Sequence, residues 1–509
     1  MAEKTYAVLA FKGLNDYTVP LQDASYTRSL NSVVTRYDRL LGGLGINKLR
    51  SISTVSDTTP IIGLMPFYDT ALTTVLYRMT PTAVHKLNTG SDTWDDKTGT
   101  ALTGTSTSIP QHIVHKDTLV FTNDGHDRPR QLLGADANSA VLGGTPPFCH
   151  GIFQAWGFLF LLNISDDGST FYPRRLRYSD DFNVNWDLCN GNELNFNETN
   201  GGLVTGINWS EFVVIFKRDA LFRLEFPGAP VRFNQPRIES DHGLLADLSA
   251  KKVEGVGAVY LGTDYRLHIC NGYMTKNMPS HVQRKLDETL YKGAAKWAFA
   301  TVTGSKDTYN LFYRSSASDS YARNRIMFNF TTGEFDHRVY SGHQFVSGGK
   351  FRYDSTEDER HVAASSTLVY ELDTAVEDDD GTAMDRYYDI DWTDCGEQGE
   401  KYLKGVTLEA KANTSGRVAI SVAANYSSTF IFEKFFSLRS LVSHNDYVKI
   451  PYRIDPGLKG TRFSVRIRIM QDDGTQVEIM PPALLHFEPE SSSLNSQPSS
   501  YTSSATRVE

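Results

Sequence analysis

Several groups of residues in this chain have the types and spacing that chemistry needs. The densest is acidic: Asp378, Asp379 and Asp380, followed by Asp385, Asp389 and Asp391. Carboxylates so clustered could ligate Ca²⁺ or supply the acid and base of a glycosidase. The stretch lacks the alternating acids, glycine and distal glutamate of an EF-hand loop, so it reads as a solvated acidic loop. The basic run Pro173-Arg174-Arg175-Leu176-Arg177 could meet phosphates. Strand alternation puts Arg175 and Arg177 on one face, and two arginines on an edge strand discourage edge-to-edge pairing, so a structural or subunit-contact role is expected. His112 and His115 are three apart in an apparent strand, hence on opposite faces, and are not expected to share a metal.

Other motifs are weaker. Ser165-Asp166-Asp167-Gly168-Ser169-Thr170-Phe171 approaches the Asp-box turn of sialidase-type propellers but is one spacer short and ends in Phe. It reads as a polar hairpin turn. Cys149, Cys189, Cys270 and Cys395 contain no Cys-x-x-Cys pair and read as buried free thiols, not as a zinc site or disulfide framework. There is no phosphate-binding loop (Gly348-Gly349-Lys350-Phe351 fails at its last position), no Gly-x-Ser-x-Gly and no His-Glu-x-x-His. No catalytic, cofactor-binding or metal residues are therefore assigned from the sequence.

The elements that would have to position such groups are β-strands. Aromatics make up 12% of the 509 residues, with 28 Phe and 25 Tyr, a composition that suits pleated surfaces. Fifty-one Lys and Arg against 60 Asp and Glu give a net charge of −9, which argues against a surface that grips nucleic acid throughout. No signal-peptide pattern opens the sequence and no window approaches 18 uninterrupted apolar residues, so synthesis and assembly in a cytosol are expected.

Apolar runs ending in a turn and then resuming return about every 40 to 55 residues, the mark of a β-propeller or similar stacked array. Hairpins centred near residues 77, 120, 160, 214, 260, 312 and 363 suggest about seven units. A Thr-Gly turn followed by a large aromatic occurs twice, before Trp94 and before Phe335, as repeats would give. The expected fold is all-β: an irregular propeller of about seven blades with an N-terminal arm and a C-terminal β-sandwich-like domain. The divisions are an arm over 1–55, with a turn at Gly13-Leu14-Asn15-Asp16, a strand from Ser29 to Val34 and a flexible break at Leu41-Gly42-Gly43-Leu44-Gly45; the propeller over 56–376; and an acidic linker over 377–400. A β domain follows over 401–488, then a Ser-rich tail over 489–509. One helix is expected between His281 and Tyr291, where Val282, Leu286 and Leu290 recur at helical spacing.

One ordered set of residues is more specific. Arg177-Tyr178-Ser179-Asp180 is followed by Asn185-Trp186, Asn195-Phe196 and Gly201-Gly202-Leu203-Val204-Thr205-Gly206-Ile207. Glu211 to Arg218, Leu221-Phe222-Arg223-Leu224, His242-Gly243-Leu244-Leu245 and Gly262 to Leu267 follow in turn. With Lys12-Gly13-Leu14-Asn15, Asn31 and Arg39, this order resembles the tail-hub proteins of short-tailed bacteriophages, also called nozzle or packaged-DNA stabilisation proteins. The likeness covers residues 10 to 290 and departs at His242 to Leu245, where that family has Gly-Cys/Ala-x-Ser. It implies a non-enzymatic virion subunit without cofactor or metal. Copies of it would form a homo-oligomer, six-fold in that family, which retains packaged DNA and conducts it during ejection. The implied partners are the head-tail adaptor ring, tail fibres or spikes, and double-stranded DNA touched transiently in the lumen. The implied location is the virion tail, assembled in the host cytoplasm, with no membrane anchor. The alternative is a propeller glycan hydrolase or lyase acting on host surface polysaccharide, which requires carboxylates converging at the propeller axis. A third is a carbohydrate- or protein-binding propeller without catalysis.

Overall fold

Buried second strands organise the molecule. The computed structural model describes residues 4–489, except 9–25, 35–39, 50–58, 180–191, 440–446, 472–476 and scattered breaks of one to four residues. The turn expected at residues 13–16, with Asn31, Arg39, Asp180, Asn185, Trp186, Cys189 and the Ser-rich tail from 490, lies outside the described residues. Seven antiparallel sheets follow one another between residues 63 and 374. Their inner strands are Gly63–Tyr68, Gln111–His115, Phe148–Ala155, Leu203–Asn208, Lys251–Val253, Phe299–Thr303 and Ser347–Phe351. Each packs on the next, and the last packs on the first, closing a seven-bladed propeller.

The second strands are Thr74–Met79, Thr118–Thr122, Phe158–Ser165, Phe212–Lys217, Gly257–Leu261, Thr308–Tyr313 and Arg360–Ala364. These are the seven segments that the apolar runs single out. Their signal is continuous rather than alternating because neighbouring blades cover both faces: every residue of Phe212–Lys217, Gly257–Leu261 and Thr308–Tyr313 is buried. Even Lys217 is buried, its Nζ donating to the carbonyls of Phe196 and Thr199 at 2.8 Å each. The two Thr-Gly turns occupy one structural position. Trp94 pairs with Leu87 and Phe335 with Phe328, each across the turn joining the third and fourth strands of its blade. Among the described residues the fourth blade has three strands, and the isolated bridges Phe222–Arg237 and Glu225–Asn234 stand at its outer edge. The helix forms over Ser280–Thr289 between blades 5 and 6, with Val282 and Leu286 buried.

The N-terminal segment is not the separate arm that was expected. Gly45–Lys48 is the fourth strand of blade 7, antiparallel to Val369–Thr374, so the chain's beginning closes its last blade. Gly45 is buried in that seam. A Cβ there would lie 2.1 Å from the carbonyl oxygen of Asp378, so this glycine permits close strand approach rather than a flexible break. Earlier residues join the sandwich. Lys4–Val8, Ser32–Val34 and Leu40–Gly42 enter one sheet with Val477–Pro489, Lys401–Ala412 and Val448–Gly460. Tyr26–Leu30 enters the other with Tyr387–Ile390, Phe463–Gln471, Ser415–Ala424 and Ile431–Arg439. The single strand expected from Ser29 to Val34 is thus two strands in two sheets. The alternating triplets Val406-Leu408-Ala410, Val418-Ile420-Val422 and Val465-Ile467-Ile469 face one another in a core that runs into blades 5 and 6.

The acidic stretch is also corrected. Asp378–Asp379 and Tyr387–Ile390 are strands, and Asp379 and Asp389 are buried. Each is matched by arginine: Arg338 Nη2 to Asp379 Oδ1 at 2.8 Å, and Arg466 to both oxygens of Asp389 at 2.7 and 2.8 Å. A charge run looks solvated in sequence because the partner cations lie 41 and 77 residues away.

Candidate functional site

In a four-stranded meander, the loops into each inner strand and the turns between second and third strands share one face of the propeller, here called the leading face. At its centre is a cavity of about 170 Å³. Ile62, Ile109, Leu248, Ala298 and Val346 line it, each just before an inner strand. Lys296, Trp297, Arg314 and Tyr321 form its cationic and aromatic side. Lys296 Nζ sits 4.1 Å and Arg314 Cζ 5.0 Å from the Trp297 ring centroid, and Arg314 also donates to the Asp319 carbonyl at 3.4 Å. This side of the cavity suits an anionic molecule about the size of a monosaccharide.

Two carboxylates stand beside that cavity. Asp124, in the second turn of blade 2, accepts the Ile109 amide at 3.3 Å and meets His150 Nδ1 at 2.8 Å. Asp247 pairs with Arg218 at 2.6 Å. Burial raises the Asp247 carboxyl above its ordinary range, Arg218 opposes the rise, and the negative charge of Asp124 adds to it.

Lys217, Arg218, Gly243, Leu244 and Thr263 meet on the same face at the seam between blades 4 and 5. The Leu244 amide donates to the Lys217 carbonyl at 2.8 Å, and the Thr263 amide to the Gly243 carbonyl at 3.0 Å. A Cβ on Gly243 would lie 2.2 Å from the Arg218 carbonyl carbon, and one on Gly201 would lie 2.2 Å from Asp219 Oδ1. Both glycines serve close packing. At this seam His242, Asp264 and His268 bring three possible ligand atoms within 4.8 Å of one another, a cluster that the sequence reading missed. The only local signal is the spacing of Asp264 and His268, which spans a tight turn.

The sequence-predicted groups have structural roles. Arg175 and Arg177 do share a face, but their strand, Tyr172–Tyr178, is paired on both sides and is not an edge. Both reach Glu193, at 3.3 and 2.5 Å, and Arg177 also reaches Asp166 at 3.0 Å. Asp167 accepts from Ser165 Oγ and the amides of Ser169 and Thr170 at 2.8 Å each, which holds its carboxyl well below the usual range and fixes a hairpin turn. Cys149, Cys270 and Cys395 are buried free thiols, and burial pushes Cys270 up to about 11 and Cys395 to about 12. Gly348 to Phe351 lies in the inner strand of blade 7.

His115 bonds to Gln154 at 3.0 Å, whereas His112 is partly buried, within reach of the charge of Lys251 on another inner strand. Burial, reinforced by Lys251, lowers His112 to about 4, and burial lowers His337 to about 3. The unfolded imidazoles take protons near pH 6.5 and the folded ones do not, so stability falls as pH drops below 6.5. Each histidine contributes up to about 2 kcal/mol to that loss at pH 5. Melting at pH 7.5 and pH 5 should show the drop, and His112→Gln should make it smaller.

The third feature is on the sandwich. Ile431–Arg439 is an edge strand, and its residues 431 to 435 are all exposed, including Ile431, Phe432 and Phe435. Tyr426 and Val448 are exposed nearby in sequence or on the other sheet's edge strand. Phe432 has φ of 56° beside a break in register, so a bulge presents its ring outward.

No protein-family profile and no curated sequence matches the chain. Among solved structures it is similar to the computationally designed Ika8 protein, at 8% identity and a TM-score of 0.36, over 63% of this chain and 98% of that one. It is also similar to the Pan2 WD40 domain of Neurospora crassa, at 9% identity and 0.37, over 65% and 96%. A third is the extracellular domain of a hybrid two-component system from B. thetaiotaomicron, at 10% identity and 0.37, over 90% and 65%. The all-β propeller architecture itself rests on the sheets and the closed ring of inner strands described above.

Proposed function

We propose that this chain is the subunit of a homo-oligomeric conduit, the tail-hub or nozzle ring of a short-tailed bacteriophage, which retains packaged DNA and passes it out during ejection. The observation that carries the reading is the exposed aromatic edge of the sandwich. An edge strand with unpaired backbone groups and three large apolar side chains in water invites association unless a neighbouring copy covers it. A repeated heterologous contact of that kind closes into a ring when its rotation allows. The propeller suits a rigid spacer, because its blades leave only short edges and its seam is closed by the chain's own N-terminal strand. The net charge of −9 suits a lumen that DNA must slide through, since each phosphate–cation contact adds affinity and friction. Light scattering and negative-stain electron microscopy, on the chain alone and with its adaptor ring, test this. Rings of about six copies are expected, as closed cyclic symmetry permits. Particles that stay single even with the adaptor would overturn it.

The pair Asp124 and Asp247 beside the axial cavity favours a second reading, a propeller acting on an acidic polysaccharide. Asp247, with its raised carboxyl, would be the proton donor. This reading requires release of new sugar ends from host polysaccharide by the wild type and its loss in Asp247→Asn.

A further inference from the structure

We propose that His242, Asp264 and His268 form a site for one divalent transition ion of the zinc class, held at the seam of blades 4 and 5 with one coordination position open to solvent. The three residues come from different elements. His268 is the second residue of the strand Leu267–Cys270, Asp264 lies in the turn before it, and His242 lies in the loop arriving from blade 4. Asp264 stands between the imidazoles: Oδ1 is 2.8 Å from His268 Nε2, and Oδ2 is 3.6 Å from His242 Nε2. Bonds of about 2.0–2.1 Å to a tetrahedral ion separate its donor atoms by roughly 3.3 Å; the two contacts of Asp264 bracket that value, and one donor atom from each of the three residues lies within 4.8 Å of the others. His242 is 39% exposed, so its ring can swing the remaining distance.

The frame around the donors is fixed. The His242 amide donates to Ser240 Oγ at 3.2 Å, and that hydroxyl donates to the His242 carbonyl at 2.7 Å. The Arg266 amide holds Asp264 Oδ1 at 3.2 Å, and the Tyr260 ring stacks on His268 at 5.3 Å. Space is kept for an ion. A Cβ on Gly262 would lie 2.6 Å from Asp264 Oδ1 and 2.7 Å from His268 Nε2, so any side chain there would fill the gap between the two donors. A hydrogen-bonded turn needs only Asp264 and His268. The second imidazole, aimed at the other carboxylate oxygen, supplies a third donor that such a turn does not use. Two imidazole nitrogens and one carboxylate suit Zn²⁺, Co²⁺ or Ni²⁺ rather than Ca²⁺ or Mg²⁺, which take oxygen ligands. Binding replaces the Asp264–His268 hydrogen bond. The Nε2 proton of each neutral imidazole moves to Nδ1 by way of solvent, and no redox step is involved.

The full-length chain, stripped with chelator and titrated with ZnCl₂, is the test. One Zn²⁺ per chain should bind saturably and raise the melting temperature, and Co²⁺ should give the visible bands of a tetrahedral site. His242→Ala, at a half-exposed position that leaves the fold intact, should weaken binding at least about tenfold, the size of effect expected for a lost ligand. His126→Ala should not. A wild-type chain that binds no Zn²⁺ saturably would overturn the assignment, and so would equal affinity in wild type and His242→Ala.

Discussion

Replacing Phe432 and Phe435 together by aspartate is expected to turn assembled rings into single subunits while leaving the isolated chain as stable as before. The two side chains are 42% and 53% exposed, so about half of each ring is left in water in the single subunit. In the free subunit they contribute little, and substitutions at such surface positions stay within about 0.5 kcal/mol. Phe432 sits at φ of 56°, a region that aspartate tolerates better than phenylalanine, so part of the change relieves backbone strain. In a ring the same rings would be covered. Aromatic anchors at the centre of an interface cost 2 kcal/mol or more each when truncated, as a rough rule, and a buried unpaired carboxylate costs more. Two such losses repeated at every contact exceed what a closed ring can absorb. Light scattering should report the mass of one chain, with melting within a few degrees of wild type. Rings of unchanged size in the double variant would show that the sandwich edge is not the contact.

How much of this was legible in the sequence follows from where each signal comes from. The seven second strands were readable because both of their faces are buried, which makes runs such as Phe212 to Phe216 apolar without interruption. The sandwich strands were readable for the opposite reason: Val406, Leu408 and Ala410 alternate because one face meets the core. The two Thr-Gly turns were matched correctly, since equivalent turns need the same residues. What failed was non-local. Nothing in Gly45-Ile46-Asn47-Lys48 says that its partner is Val369–Thr374, more than 300 residues on. Asp379 and Asp389 were misread because a buried carboxylate and a solvated one are spelled alike, and only the approach of Arg338 and Arg466 distinguishes them. The cluster of His242, Asp264 and His268 was invisible for the same reason: packing of two blades, not spacing, brings His242 to the other two. The axial carboxylates Asp124 and Asp247 are 123 residues apart in sequence and meet only around the ring.

The closing seam is where a single substitution should do most damage. Arg325 makes two hydrogen bonds to Asp373, at 2.8 and 2.9 Å, and Arg338 adds one to Asp373 at 3.2 Å and one to Asp379 at 2.8 Å. His361 reaches Asp373 at 3.1 Å, and its other nitrogen meets Thr301 at 2.8 Å. Blade 6 supplies the arginines and blade 7 supplies Asp373, directly beside the N-terminal strand that completes the ring. Burial alone would raise the Asp373 carboxyl, but the charge of Arg325 and hydrogen bonds from His361 and Arg325 outweigh it and hold the carboxyl well below its ordinary range. That stabilisation is complete above the unfolded carboxyl's titration near pH 4 and is lost as pH falls through the lower folded value. Asp373→Ala leaves Arg325, 4% exposed, without its carboxylate. Removing one member of a fully buried pair costs about 3–5 kcal/mol; here Arg325 is buried but Asp373 is 32% exposed, so the loss falls toward the lower end of that range. Asp380→Ala is the contrast: its pair with Lys48 spans 3.3 Å at a site where the lysine is 43% exposed, and such pairs are worth at most about 1 kcal/mol. At neutral pH, urea unfolding should therefore separate the two variants clearly, with Asp373→Ala far less stable and Asp380→Ala close to wild type. Equal losses would mean that the seam is held by apolar packing around Ile46 and Leu372, and that the ion network contributes only geometry.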